Sequence, residues 1–407
     1  MGSSAVPAAA QNQTETSILV YSETGRMRAT EANFSLRKQM KKDFGLKLRL
    51  TYDGLTGATP TGASPSKYAQ TLTRSSGGQT ITVPAGASPL DDNFKDTRFA
   101  GEATFAHPLG RNATWSAGAH ASSEQDYKSL GLNFGLARDF NRKNTTIGVS
   151  GSLSHDVISP VGGFHQPLTD VNANTDETRE ERLARFEGKP KKVYDFIFSW
   201  TQVLNRETVF RANFFTSRAS GYLTDPYKII SVVLPPDTAD AGEPVQNLYE
   251  RRPGSRNRYA AFAELRRFML GASVGVSYRY FWDDWDVKSH SVDFLMHLDF
   301  HRYGEFSPHV RWYHQTAASF YKPFLVQGQP LPDYATSDSR LAAFNAFTYG
   351  LSYSIPVNTT SRLNISAEYY LQRGDVSPPT GYGSSLTFDL FPKLDVAMVR
   401  VGYTHNL

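Results

Sequence analysis

The chain has 407 residues, enough for two or three ordinary domains or for one large barrel. It contains no cysteine, which excludes a disulfide scaffold and any cysteine-ligated metal or redox site. With 43 Lys and Arg against 39 Asp and Glu, the net charge is only +4, so no nucleic-acid partner is expected.

The N-terminal segment has no apolar core of a signal peptide, but Ala8–Ala10 resembles the small-residue end of a cleavage site. We therefore expect residues 1–14 to be a flexible N-terminus or the remnant of an export signal region. Residues 15–407 are expected to form a single domain. The sequence has no run of 18 or more apolar residues, so a transmembrane helix is not expected.

Strict alternation of apolar and polar residues recurs along the chain, and a period of two is typical of β-strands with two different faces. One clear case is the set Ala272, Val274, Val276, Tyr278 and Tyr280, which alternates with Ser273, Gly275, Ser277 and Arg279. The pattern predicts sixteen strands, near residues 16–23, 27–39, 44–55, 95–107, 112–125, 129–140, 144–156, 191–204, 207–219, 256–269, 271–282, 287–301, 305–317, 341–356, 361–373 and 394–406.

The connections between these strands differ in length. After the first hairpin, turn-like connections such as Asn141–Asn144 and Val357–Thr360 are expected to alternate with long ones. The long ones are 57–94, 157–190, 220–255, 318–340 and 374–393. Short turns at one rim and long loops at the other are typical of outer-membrane barrels. The sequence therefore predicts an all-β transmembrane antiparallel barrel of about 16 strands in the bacterial outer membrane, with short periplasmic turns and long extracellular loops.

Such a barrel faces outer-membrane lipids, and it needs the barrel assembly machinery to insert. Aromatic residues at 13% fit a lipid-facing surface, on which we place Phe196, Phe198, Trp200, Phe347, Tyr349 and Tyr353. Many barrels end in an aromatic residue that the assembly machinery reads. This chain ends in Leu407, so Tyr403 or Leu407 is expected to take that part.

The alternation also predicts a lumen wall that carries charges of both signs. Fifteen residues are predicted to line it, namely Lys47, Arg49, Asp53, Arg98, Glu102, Asp195, Arg211, Glu264, Arg266, Arg279, Asp293, Asp299, Arg311, Glu368 and Arg400. Eight basic and seven acidic side chains argue against strong ion selectivity. Two arrangements stay open: rows of like sign in an open pore, or paired charges in a barrel plugged by loops such as 57–94.

Several segments resemble one bacterial family, the domain of unknown function family 3570. They are Asp53–Pro60, Leu90–Arg98, Ser220–Lys228, Arg252–Arg256, Asp283–His290 and Phe388–Pro392. The resemblance spans roughly residues 15–405 and implies an exported outer-membrane protein without an assigned activity. It also implies a neighbouring small lipoprotein and flavin transferase, hence a periplasmic redox or metal-related partner.

Four residues at one strand tip are candidate metal ligands: Asp283, Asp284, Asp286 and His290. Their carboxylates suit calcium, and the imidazole would suit a transition metal, although Asp is also common in ordinary turns. A second histidine group, His297, His301 and His309 with Asp299 and Arg311, fits either a ligand site or an internal hydrogen-bond network.

No catalytic motif is present, so an enzyme is not expected. A pore or ligand-specific channel with a mixed-charge lumen is the leading interpretation. The alternative is a plugged barrel that holds a lipoprotein or a redox partner. A third is an outer-membrane hydrolase, for which His155, Asp156, His165 and Asp170 are the nearest grouping.

Overall fold

The structure is a computed structural model that describes residues 12–40, 44–73, 80–172, 178–374, 381–391 and 393–407. Residues 1–11 of the predicted N-terminal segment 1–14 lie outside these ranges. Gln13 and Thr14 are the first residues of the first strand. Within the described residues, no helix is both long and apolar enough to cross a membrane.

The described residues form twenty-one strands and one short α-helix, α1 (Arg179–Arg185), besides several 3₁₀ turns. The strands are β1 (Gln13–Glu23), β2 (Met27–Gln39), β3 (Gly45–Pro60), β4 (Gln70–Thr73), β5 (Thr80–Val83), β6 (Leu90–Leu109), β7 (Ala113–Ser123), β8 (Tyr127–Phe140), β9 (Thr145–Ile158), β10 (Lys189–Asn205), β11 (Thr208–Gly221), β12 (Ile229–Val233), β13 (Pro244–Tyr249), β14 (Ser255–Met269), β15 (Ala272–Asp283), β16 (Lys288–Asp299), β17 (Glu305–Gln315), β18 (Leu325–Val326), β19 (Phe344–Pro356), β20 (Ser361–Gly374) and β21 (Leu394–Asn406).

Sixteen of these strands form one closed antiparallel barrel, which β1 and β21 complete by pairing with each other. The ring order is β1, β2, β3, β6, β7, β8, β9, β10, β11, β14, β15, β16, β17, β19, β20 and β21. The predicted transmembrane antiparallel barrel and its strand number are confirmed. Closure pairs every edge, so the barrel presents no open strand edge to lipid.

The outer surface is apolar because one face of each strand carries the large hydrophobic side chains. Leu130, Phe134, Phe198 and Tyr349 are between 41 and 63% exposed although they are hydrophobic. In a membrane these side chains contact lipid rather than water.

Connections at the two rims differ in length. Turns of two to five residues, from 206–207 up to 300–304, join the strands at the turn rim, where both chain termini also lie. Five long connections meet at the other, long-loop rim: 61–89, 159–188, 222–254, 316–343 and 375–393. The strict alternation predicted after the first hairpin is wrong at two places, because the short turns 124–126 and 284–287 also lie at the long-loop rim.

The five long connections pack together into what we call the loop assembly. Its centre is the small sheet of β13, β12 and β18. Ile230, Val233 and Ala335 are completely buried there. Phe391 of the last long connection also packs on Phe344 and Ala346 at the start of β19, so the packing reaches the inner wall at the long-loop rim.

The loop assembly spans the mouth of the barrel. Segment 222–254 leaves the wall between β11 and β14, whereas β6 lies five strands before β11 and β20 five strands after β14 in the ring. On one side the Ser64 amide donates to Ser231 Oγ at 2.8 Å. On the other, the Ser384 amide donates to the Ala241 carbonyl at 2.9 Å. Loops from distant parts of the wall therefore join over the lumen.

Candidate functional site

The inner wall of the barrel is the first candidate site. All fifteen side chains predicted to line the lumen lie on strand faces opposite the exposed apolar ones. The side chains of Arg49, Arg211 and Arg311 are 48, 54 and 49% exposed. Long side chains inside a filled barrel would be buried, so the part of the wall that the structure describes encloses water-accessible space.

Charges on this wall pair with neighbours on the next strand. Arg49 lies 3.9 Å from Glu102, Arg98 2.5 Å from Asp53, and Arg311 2.6 Å from Asp293. Glu264 is shared by Arg211 at 3.5 Å and Arg266 at 2.8 Å. These pairs join side chains on the same strand or on neighbouring strands of the described wall.

The remaining predicted wall residues show how polar this surface is. Asp195 accepts a hydrogen bond from Ser152 Oγ at 3.1 Å. Asp299 accepts one from the His301 amide at 2.7 Å, in the turn before β17. Lys47, Arg279, Glu368 and Arg400 form no ion pair with another described residue. Basic and acidic side chains therefore both line the lumen.

A stretch of the wall on β7, β8 and β9 is built from small residues. Its inward positions include Gly118, Gly131, Gly148 and Ser150. A Cβ at Gly131 would lie 2.2 Å from the His120 ring, and one at Gly118 would lie 2.6 Å from the Ala103 carbonyl. The glycines here make room for neighbouring groups such as the His120 ring.

A buried ion network holds the loop assembly together. Arg252 donates to Glu250 at 3.1 Å and to Asp338 at 2.8 Å, and the Asp225 amide donates to Glu250 at 2.8 Å. The Glu250 side chain is 0% exposed and that of Asp338 is 2% exposed. Arg340 joins Asp338 to Asp225. The network thus connects segment 222–254 with segment 316–343.

Burial and neighbouring charges act in opposite directions on this network. Burial raises the pKa of Glu250, and Arg252 offsets this only in part. Burial also opposes ionisation of Asp338, but Arg340 and Arg252 outweigh it and hold the pKa of Asp338 below its usual range. The pKa of Lys228 is lowered by burial despite Asp225 nearby.

Sequence reasoning found part of this network. Asp225, Lys228 and Arg252 are charged residues of the segment 220–255, and residues of these types suit either fixing of the loop or binding of an anion. In the structure they fix the loop, and Lys228 also donates to the Pro60 carbonyl of the first long connection. Glu250 and Asp338 carry no sequence signal, because only the meeting of two distant loops makes them partners.

The structure does not bring the four candidate metal ligands together. Asp283 pairs with Arg256 and accepts hydrogen bonds from the Trp285 and Val287 amides, both at 3.0 Å. Asp284 accepts from the Asn257 amide at 2.9 Å, and Asp286 has a φ of 66° in the turn. His290 lies on the outer face beside Tyr278 Oη, 2.7 Å away. Calcium or a transition metal at this tip stays a prediction.

Another acidic group forms at the long-loop rim. Asp96, Glu124 and Asp126 are the one group of three or more His, Cys, Asp or Glu residues in the described part of the chain whose ligand atoms all lie within 4.8 Å of one another. Asp126 accepts a hydrogen bond from Tyr227 Oη at 2.7 Å, and Arg98 lies 4.0 Å from Glu124. These contacts account for the group without a metal ion.

The remaining histidine groups are also dispersed or paired. His309 Nε2 lies 3.0 Å from Asp293, and His297 Nδ1 lies 2.8 Å from Ser307 Oγ, so both join the wall network. His155 faces outward, whereas the adjacent Asp156 is buried beside Lys191 at 3.2 Å. Consecutive strand residues point to opposite faces, so the pair cannot act on one substrate atom.

Away from the wall, His165 stacks on Tyr249 with ring centroids 3.9 Å apart. Asp170 accepts a hydrogen bond from Gln246 Nε2 at 2.9 Å. Both residues therefore belong to the packing of the loop assembly.

The family model described as "Protein of unknown function (DUF3570)" matches residues 1–405. No curated protein matches the chain.

Solved barrels resemble the chain in fold at low identity. A mutant of the ferric enterobactin receptor PfeA from Pseudomonas aeruginosa, in complex with enterobactin, is 10% identical with a TM-score of 0.47, covering 96% of this chain and 60% of that one. CdiB from Acinetobacter baumannii is 10% identical with a TM-score of 0.47, covering 97% and 60%. The outer membrane transporter YddB from Escherichia coli is 11% identical with a TM-score of 0.39, covering 89% and 52%. The chain thus spans about three fifths of the length of the first of these barrels.

Proposed function

Because the chain belongs to the family described as Protein of unknown function (DUF3570), which names no activity, we propose from its geometry that it is an outer-membrane channel for polar solutes, closed at the long-loop rim by the loop assembly. The observation that carries this proposal is the half-exposed, charged inner wall together with the packed loop assembly at the long-loop rim. Half-exposed charged side chains favour water and polar solutes over a packed plug inside the barrel.

The pairing of wall charges predicts what such a channel would pass. Ion pairs such as those of Arg49, Arg98 and Arg311 reduce the net field along the lumen, so solutes of either charge would pass, with weak selectivity. Passage then depends on whether the cover opens.

The cover would open by loss of its ion network. Removing one partner of a buried pair leaves an uncompensated buried charge, which costs about 3–5 kcal/mol. Arg252→Ala would strand the completely buried Glu250 carboxylate. Arg251→Ala is the matched control, because this neighbouring arginine is exposed and stacks over Tyr334 without joining the network.

The test is single-channel recording of the three barrels in planar bilayers. We expect the wild type and Arg251→Ala to be mostly closed, and Arg252→Ala to show frequent open-channel currents. A folded Arg252→Ala barrel whose loops are cut rapidly by protease, yet which passes no current, would overturn the channel. A wild type that is permanently open would overturn the closing role of the loop assembly.

A second candidate, a scaffold that holds a periplasmic partner, is favoured by the asymmetry of the two rims. Turns of two to five residues cannot cover the lumen at the turn rim, so a partner segment has room to enter there. The family resemblance suggests a small lipoprotein or a redox- or metal-related protein in this place. The scaffold predicts a stoichiometric lipoprotein after purification from the native membrane. Removal of this lipoprotein should allow ion conductance through the Arg252→Ala barrel.

A further inference from the structure

Four basic side chains lie close together on the outer surface of the barrel, near the long-loop rim. Lys128 is the second residue of β8, and Lys192 is the fourth of β10. His155 and Arg218 are each the fourth residue from the end of their strands, β9 and β11. All four are exposed and share the face of the apolar residues that would contact lipid.

Register places the four on adjacent strands as neighbours. Lys192 is directly opposite His155. Arg218 is opposite Tyr194, two residues along from Lys192. Lys128 is opposite Val157, two residues along from His155. Direct and diagonal neighbours on one face lie about 5–8 Å apart, so the four side chains form one patch.

The patch lacks the carboxylates that pair with basic residues elsewhere. Lys191, which precedes Lys192 on the inner face, lies 3.2 Å from Asp156. Lys128, His155, Lys192 and Arg218 form no ion pair and no side-chain hydrogen bond with any other residue of the described chain. The positive charges of Lys128, Lys192 and Arg218 are therefore available to an anion outside the protein.

Directly below this patch the barrel surface is apolar. Two residues from the basic side chains on the same strands lie Leu130, Leu153 and Tyr194, which are 63, 43 and 52% exposed. Phe196, two residues beyond Tyr194, is 43% exposed. Basic side chains at the border between an apolar belt and water match an amphiphile with anionic groups above and acyl chains below.

We propose that this patch binds the phosphate groups of lipid A in the outer leaflet, with its acyl chains lying along the apolar belt. Arg218 can donate two parallel hydrogen bonds to one phosphate, while Lys128 and Lys192 attract the phosphates as point charges. Four adjacent strands span about 15 Å, which exceeds a single phosphate and suits a head group that carries two. This inference goes beyond the channel, since it concerns the outer wall and not the lumen.

Native mass spectrometry of the delipidated barrel with added lipid tests the site. The probes are diphosphoryl lipid A, monophosphoryl lipid A and phosphatidylglycerol. The main variant is Lys128→Gln, Lys192→Gln and Arg218→Gln combined. The control, Arg138→Gln, Lys143→Gln and Arg206→Gln combined, removes three exposed charges at the turn rim of the same strands.

We expect the main variant to lose about tenfold or more in affinity for diphosphoryl lipid A, because each basic side chain near a charged lipid surface contributes to binding. The control should bind as the wild type does, and monophosphoryl lipid A should bind more weakly. Equal binding by the main variant and the wild type would overturn the site. Equal affinity for phosphatidylglycerol would overturn lipid A as its occupant.

Folding is checked independently by the heat-dependent migration that folded barrels show in gels. Lys192→Gln alone is measured as well, with a loss of about threefold expected, and unchanged binding in it contradicts the site even if the triple variant is unstable. Conductance in an Arg252→Ala background should be unaltered by the patch variants. A failure of the channel proposal and a failure of the lipid site are thus distinguishable.

Discussion

The barrel wall and the loop assembly are stabilised in opposite ways. The wall is a continuous hydrogen-bonded ladder, and inner side chains such as Arg211 stay half-exposed. The loop assembly has little regular structure, yet it buries Ile230, Val233 and Ala335 completely and encloses an ion network. A region held by side-chain packing can loosen while a region held by its backbone ladder stays closed.

This difference suits a covered channel. The sixteen-strand ring has no free edge and so resists local opening. The cover depends on a few buried side chains from loops that are distant in sequence. Substitutions in the loop assembly should therefore change how often the channel opens without unfolding the barrel. Substitutions in the wall should either lower the stability of the barrel without opening the channel or have no effect.

We expect the largest loss of stability in the loop assembly when its aromatic contact at Trp285 is removed. Trp285 is 4% exposed, packs edge-to-face on Phe320 at 5.1 Å and donates from Nε1 to the Ser255 carbonyl at 2.9 Å. Trp285→Ala should cost the loop assembly about 3–5 kcal/mol. The rate of limited proteolysis in the long loops measures this. Trp312→Ala, at a lipid-facing tryptophan that is 36% exposed, is the control. Equal cleavage rates in the two variants would remove the distinction between the two regions.

Acid should open the cover next most strongly. The pKa of Asp338 is held below its usual range, so its stabilising charge is present above the ordinary Asp value of about 3.9 and is lost as the pH falls below it. The pKa of Glu250 is raised, so its protonation on mild acidification favours the folded cover instead. Conductance should therefore stay low near pH 5 and rise only below about pH 4. A rise centred between pH 5 and 7 would exclude Asp338 as its cause.

Gly62 tests how closely two loops approach each other. Its φ is +94°, and a Cβ there would lie 2.5 Å from the Ile229 carbonyl oxygen and 2.6 Å from Ser337 Oγ. Gly62→Ala should destabilise the cover by about 1–3 kcal/mol through strain and displacement. Gly328→Ala separates the two causes, because Gly328 has a φ of +82° but no atom within 4 Å of its Cβ. Similar protease sensitivity in both variants would show that strain alone matters.

The sequence predicts the wall far better than the cover. Alternation locates all sixteen barrel strands, most within three residues of their observed bounds, because the period of two persists wherever one face meets lipid. The largest errors are at β3, which ends at Pro60 instead of near Leu55, and at β6, which begins at Leu90 instead of near Lys95. The two strands stay paired up to Pro60 and Leu90, above the apolar belt.

In the cover, the apolar run Ile229–Val233 is the one visible signal of burial. Its partners come from other loops, whose contacts have no period along the chain. The pairing of Glu250 and Asp338 through Arg252 requires that two loops meet, and nothing local in either segment encodes that meeting. Prediction therefore ends where side-chain contacts between distant loops replace the strand period.

The smallest expected effect concerns stability of the wall itself. Arg49 and Glu102 lie 3.9 Å apart with side chains 48 and 33% exposed, so solvent screens the pair and its contribution is about 0–1 kcal/mol. Arg49→Gln should leave the heat-dependent gel migration unchanged but leave Glu102 without its partner in the lumen. In an Arg252→Ala background, reversal potentials across a salt gradient should shift slightly toward cation selectivity, whereas Arg49→Lys should not shift them. A clear loss of barrel stability would mean that wall charges, like those of the cover, hold the structure together, and an unshifted potential would mean that ions do not pass this part of the wall.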